Sequence, residues 1–387
     1  MKRLNSYVSQ PGAIKVYPVG DVPLNPDTDK LNESLIRQNI CLLCRTGGKT
    51  ATELAELTGI PMPYLEYYID WLTEREFLIK NRKHYHTSFI IMNRRYFKYR
   101  RMIYTKYRER LHDKIIGYFW EKEANIRQIG FHGSDFPTER LMWAIITMFV
   151  CYAGRNDELL LQLNSDDNYE IQSDGGIYNL EAIEYSDGHD YDISGAYNHS
   201  GWDKIWGIAC DKFAPDGMER HYWLGVYNFV NEEYRPEIIT GDEKTQALLY
   251  RLYCSILEDD FSPDNISPEE QEMLAVAFRK GLIRENGNSY KPKFVVFTKE
   301  QLKQLQDEIY APLLELISLK LHELAMQFEK KYRAEFPKAK QGYINHHVYM
   351  ATWMFGIFSL IFAAEDGKIC LPKNPANGAS LTLVLVR

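Results

Sequence analysis

The sequence predicts an α+β protein in which one structural unit occurs twice, the second time in degenerate form. Three observations lead there. Apolar residues recur with helical spacing in some runs and with strand-like alternation in others, and the two kinds of run are grouped rather than strictly interleaved. Residues 50–92 order a short helix, a tight turn, a longer helix and a hairpin. The end of that stretch is echoed later: the run from Phe278 to Arg284 repeats that from Glu74 to Lys80 at an offset of 204, and Val295-Val296-Phe297 repeats Ile90-Ile91-Met92 at 205.

A chain of 387 residues, 45% hydrophobic and 26% charged, is globular and long enough for two or three cores. Residues 1–30, with Pro11, Gly12, Pro18, Gly20, Pro23 and Pro26, read as an extended arm without the apolar segment of a signal peptide.

Residues 31–92 form the first compact domain. Ile36, Ile40 and Leu43 share one helical face. Thr50 followed by Glu53 is a capping box, the hydroxyl and carboxylate satisfying amides at a helix start. Leu54 and Leu57 mark that helix's apolar side, and Thr58-Gly59-Ile60-Pro61 ends it. Leu65, Tyr68, Ile69 and Leu72 then give a buried stripe, leaving Tyr64, Glu66, Tyr67, Asp70 and Glu74 outward. The hairpin follows, two short strands around Asn81-Arg82-Lys83.

This order of helices and hairpin resembles the winged helix-turn-helix domain of bacterial transcriptional regulators. The resemblance implies that Met62 to Glu74 is the recognition helix, that the wing near Arg82-Lys83-His84 touches backbone or minor groove, and that double-stranded DNA is the partner. It gives Lys49, Tyr64, Tyr67, Arg82, Lys83, His84, Arg94, Arg95 and Lys98 as candidate DNA-contacting residues. Glu66, Asp70 and Glu74 lie along one line of the recognition helix and oppose phosphate, so base contact falls to its amino end. The alternative stays open that these winged helices bind protein instead, in a scaffold associated with the transcription machinery.

Charge is segregated more strongly than the net −7 suggests. Residues 80–114 hold twelve Lys and Arg against Glu109 and Asp113, whereas residues 155–243 hold twenty acids against five bases. Such polarity fits one surface that meets a polyanion and another that avoids it.

Residues 93–240 begin with a long basic helix over 93–123, in which Arg94, Arg95, Lys98, Arg100, Arg101, Lys106, Arg108 and Arg110 alternate with tyrosines. An apolar helix over 141–154 and a mostly antiparallel sheet over 158–230 complete that region. Residues 241–297 are the degenerate winged helix: only nine residues, 258–266, separate its helices, and Glu258, Asp259, Asp260 and Asp264 among them repel phosphate. Residues 298–387 hold a long helix broken near Pro312, a buried apolar helix at 348–364 and terminal strands.

No sequence signature of catalysis is present, so no enzyme activity and no cofactor are expected. Cys41 and Cys44 form a lone CxxC inside a helix, read as ordinary burial in a reducing, cytoplasmic setting. His346-His347 and His189-Asp190-Tyr191-Asp192 are the most ligand-like clusters, but a helix start and a polar loop explain them better than metal. Tyr178, Trp202, Trp206, Tyr222, Trp223 and Tyr227 suit core packing, with an effector pocket as the alternative. The reading admits a homodimer and a small-molecule effector, with no membrane.

Overall fold

The computed structural model describes residues 14–184, 210–212, 223–225, 248, 251–258, 261–279, 281–286, 289–369 and 384–386. The fold is mixed α+β with small sheets. By contact the chain divides into two units, each drawing on both halves of the sequence: Met1–Thr105, Glu158–Ala196 and Leu321–Thr352 in one, Lys106–Asp157, Tyr197–Lys320 and Trp353–Arg387 in the other.

In the first unit, β1 (Ile14–Asp21) leads through α1 (Asp27–Asn32) to α2 (Leu35–Cys44), α3 (Ala51–Thr58) and α4 (Met62–Glu74). The hairpin β2 (Leu78–Asn81) and β3 (His84–Thr87), the strand β4 (Ile90–Met92) and α5 (Arg94–Lys106) follow. Part of the expected arm is therefore a sheet strand, because Ile14 and Val16 alternate inward and are buried. The capping box at Thr50 forms as expected, Thr50 N–H donating to Glu53 Oε2 at 2.7 Å and Glu53 N–H to Thr50 Oγ1 at 3.2 Å. Gly59 closes α3 at φ 71°, a conformation that a Cβ disfavours. Ile40, Leu54, Leu65, Ile69, Leu72 and Phe77 then bury a common core, each large side chain contributing roughly 1.5–3 kcal/mol over exposure.

Three chain passages meet at the hairpin. Leu78 pairs with Thr87 and Asn81 with His84, leaving Arg82-Lys83 as a two-residue turn. On its other side β3 is bridged by Lys49, whose N–H donates to the Tyr85 carbonyl at 3.0 Å while the Tyr85 N–H returns a bond of 2.8 Å. Elsewhere in the unit, β5 (Ile177–Glu184) lies between β1, antiparallel, and β4, parallel, with Ala182 opposite both Val16 and Ile91.

The second unit packs around aromatic rings. The Thr138–Asn156 helix is buried along most of its length, and its Phe149 meets Phe119, Tyr310 and Phe355 at centroid distances of 5.6, 5.5 and 6.2 Å. Gly356 faces Val150 so closely that a Cβ would lie 1.7 Å from Cγ2; only glycine permits this helix approach. The Pro268–Arg279 helix precedes the hairpin Ile283–Asn286 with Ser289–Pro292, and the strand Val295–Phe297 pairs in parallel with Val384–Val386.

Element bounds in the two units repeat at a constant 205: Glu74 and Arg279 end helices, and Leu78, His84 and Ile90 begin strands as Ile283, Ser289 and Val295 do. The offset of 204 expected for the first strand is thus corrected by one residue. Phe77, not Leu78, matches Leu282, because the Ser88 N–H to Phe77 carbonyl bond recurs as Lys293 N–H to Leu282 carbonyl.

Three further expectations change. The helix expected over 93–123 is interrupted by a π turn at Arg108–His112, where Asp113 N–H reaches back to the Arg108 carbonyl, and it stops at Lys122. The break expected near Pro312 is a π turn too, Gln306–Tyr310, placed just ahead of a residue that lacks an N–H and crowds the carbonyl four back. The leucine run taken as the start of a mostly antiparallel sheet is the helix Glu158–Leu163, a short apolar run that periodicity cannot assign, and β5 makes its sheet mixed. The Gln341–Glu365 segment is long and apolar enough to cross a membrane by length and composition; 76% of its most apolar window is buried within the protein, as in a core helix.

Candidate nucleic-acid interface

The Arg82-Lys83 turn and His84 stand exposed, and among the described residues these three side chains make no ion pair. Beneath them is an open cleft of about 350 Å³ lined by Gly47, Asn81, Arg82, His84 and His86. The loop entering α3 forms one wall. Gly48, at φ 64°, lies flat on the His86 imidazole; a Cβ there would sit 2.4 Å from Cε1. Burial, then Lys338 and His84, hold the His86 pKa below its ordinary value. Lys49 is half-buried and its Nζ donates to the Gly48 carbonyl at 3.2 Å.

α4 presents a different chemistry. Tyr64 and Tyr67 are 70% and 62% exposed, beside exposed Glu66, Asp70 and Glu74. The nearby arginines are committed elsewhere: Arg37 and Arg75 stack on Trp71 at 3.8 and 4.5 Å, and Arg75 Nε lies 3.2 Å from Asp27 Oδ2. This face can accept hydrogen bonds but carries no cation of its own.

The basic run after the hairpin is not one surface. Arg95 is exposed, while the Arg94 and Lys98 side chains lie outside the described residues. Arg100 is buried, and Arg108 pairs with Asp366, with Glu365 at 3.6 Å and with Asp113 at 3.7 Å. The rest of the run, within Lys106–Asp157, belongs to the other unit. Arg100 and Arg108, members of the basic run expected to meet a polyanion on one surface, are instead used inside the fold.

Sequence reasoning missed what Arg100 serves. It is buried with Glu181, His346, His347, Tyr96, Tyr104 and Tyr332. His346 Nε2 lies 2.9 Å from Glu181 Oε1, and the Tyr96 hydroxyl donates to that of Tyr332 at 2.6 Å across rings stacked at 5.4 Å. Burial would raise the Glu181 pKa, but His347, His346 and Arg100 outweigh it and hold the carboxyl down at about 2. Burial lowers His347 to about 4 against the pull of Glu181. The one available signal was Glu181 itself, an acid set between Leu180 and the apolar pair Ala182-Ile183.

Cys41 and Cys44 are buried free thiols; burial raises both, Cys44 to about 12, which opposes thiolate chemistry. Among the described residues no group of three or more His, Cys, Asp or Glu could hold a metal ion. Tyr178 is a core residue whose hydroxyl donates to Asp174 Oδ2 at 2.6 Å, not a pocket lining. His189, Asp190, Tyr191, Asp192, Trp202, Trp206, Tyr222 and Tyr227 lie outside the described residues, as does the side chain of Trp223. Comparison with protein-family models, curated proteins and solved structures finds no match to this chain.

Proposed function

We propose that the chain is a DNA-binding transcriptional regulator whose residues 31–92 are a winged helix-turn-helix domain, with 241–297 a degenerate second copy. The observation that carries the reading is the hairpin tip, where Arg82, Lys83 and His84 stand exposed and without ion pairs among the described residues, on an edge of three chain passages. The order α2, α3, α4, hairpin fits the domain, and the constant register of 205 supports duplication. In this reading the wing grips phosphates, with Arg95 beside it in sequence, and α4 approaches bases only through Tyr64 and Tyr67 at its amino-terminal half. The partner is double-stranded DNA and no cofactor takes part.

Salt dependence tests it. Binding to a random duplex should weaken linearly with the logarithm of salt, and Arg82→Ala with Lys83→Ala should reduce the slope by about two. Absence of binding at low salt would overturn the reading. One observation favours a second: the outward face of α4, tyrosines among the exposed carboxylates Glu66, Asp70 and Glu74, suits protein better than phosphate. A scaffold of the transcription machinery would then use α4 as its contact, and Tyr67→Ala would abolish partner capture without touching DNA.

A further inference from the structure

We propose that the cleft between the hairpin and the loop at Gly47 is a seat for a single phosphoryl group, and that His86 takes up a proton when the group binds. The inference rests on the DNA reading for its natural occupant but not for its chemistry. Arg82 supplies a planar fork suited to two oxyanion oxygens, and His84 and His86 add ring donors around the same cleft of about 350 Å³. That volume admits a phosphate with part of its hydration. Beside the lining residue Gly47, Gly48 packs flat on the His86 ring and cannot acquire a Cβ without striking it, so this loop holds the imidazole in place at the cleft.

The charges around His86 set its behaviour. Partial burial, then Lys338 and His84, disfavour a positive charge on its ring. The Glu53 carboxylate, its pKa lowered first by Thr50 and also by Lys49 and His84, is held by Thr50 N–H and Oγ1. An anion placed among these groups reverses the balance: the imidazolium becomes favourable and both ring nitrogens become donors. A phosphodiester does not titrate near neutrality, so any proton taken up from solvent on duplex binding is taken up by the protein.

The test uses the full chain with two probes, inorganic phosphate and a short random duplex, at matched ionic strength. The His86 ring-proton NMR signal should shift with both, and duplex affinity should rise severalfold from about pH 8 to about pH 6. His86→Gln should abolish that pH dependence and hold affinity at about pH 6 down to its level at about pH 8, and the exposed Arg82→Ala should weaken binding about tenfold at both pH values. A shift with phosphate but no duplex binding would support a seat for a small phosphorylated ligand and overturn the DNA reading alone. Duplex binding whose pH dependence survives His86→Gln, or a His86 signal indifferent to both probes, would overturn the seat and leave the DNA reading intact.

Discussion

The two hairpins, Leu78–Asn81 with His84–Thr87 and Ile283–Asn286 with Ser289–Pro292, share a backbone plan and differ in what their tips display. Each follows a helix, each is closed by the same hydrogen bond to Phe77 or Leu282, and each leads to a strand paired in parallel, Ile90 with Glu181 and Val295 with Val384. The second tip reads Gly287-Asn288, residues suited to a tight turn. The first places Arg82 at φ 57°, where a Cβ costs about 1 kcal/mol or more. A fold that could have used glycine carries arginine instead, and such retained strain points toward function.

Exchanging the tips breaks the comparison most directly. Arg82→Gly with Lys83→Asn gives the first hairpin the second's turn. Duplex affinity should fall about a hundredfold, two charge-assisted phosphate contacts being lost, while thermal stability holds or rises. Unchanged affinity in a gel-shift titration would end the wing's role.

The interiors differ as well. Carrying the register of 205 into the following helix sets Leu305, which is buried, at the place of Arg100; strand pairing sets Val384 at the place of Glu181. The ionic cluster is therefore not demanded by this architecture. Either Arg100→Leu or Glu181→Val alone should cost about 3–5 kcal/mol by leaving a buried charge unpaired, whereas the double variant should cost less than either. Urea unfolding of the three variants measures the coupling; additive losses would refute it.

Acid should sharpen the contrast. The π turns end on buried polar residues, His112, whose Nδ1 lies 2.8 Å from Ser359 Oγ, and Tyr310, whose hydroxyl donates to the Ile145 carbonyl at 2.8 Å. Burial lowers His112 from 6.5 to about 3, as it lowers His347 to about 4, and Glu181 falls from 4.5 to about 2. In all three the unfolded chain binds the proton first, so stability is full above about pH 6.5 and declines from there toward pH 2. Each histidine contributes on the order of a few kcal/mol. His112→Gln should flatten the first part of the decline in urea titrations at stepped pH, and an unaltered curve would contradict the assignment.

How much of this was legible in the sequence depends on the range of the forces involved. The capping box at Thr50, the turn at Gly59-Ile60-Pro61 and the stripe of Leu65, Ile69 and Leu72 are local, and each forms as its spacing predicts. The hairpin tip was legible for the same reason. The basic run failed as a surface because exposure is set by partners far away: Arg108 is claimed by Asp366, and Arg100 by residues reached through Glu181 and His346. The cleft at His86 needs Gly47 and Gly48 folded onto β3, a meeting that no spacing announces.

The smallest effect makes the finest test of equivalence. Glu76 and Gly281 occupy matching places before the first strand of each hairpin and share a left-handed backbone, φ 56° and 67°, each donating its N–H three residues back, to the carbonyls of Thr73 and Phe278. Gly281→Ala forces a Cβ into that conformation and should cost about 1 kcal/mol. Glu76→Gly removes the same strain, but it also removes the ion pair with Lys340, which at an exposed carboxylate contributes less than about 1 kcal/mol. The two terms oppose, so Glu76→Gly should lie near zero; because Lys340 also meets Glu170 at 3.7 Å, the relief of strain is isolated by comparing Glu76→Gly combined with Lys340→Met against Lys340→Met alone. A net loss as large as that of Gly281→Ala would mean that the contact with Lys340, not backbone equivalence, governs the position.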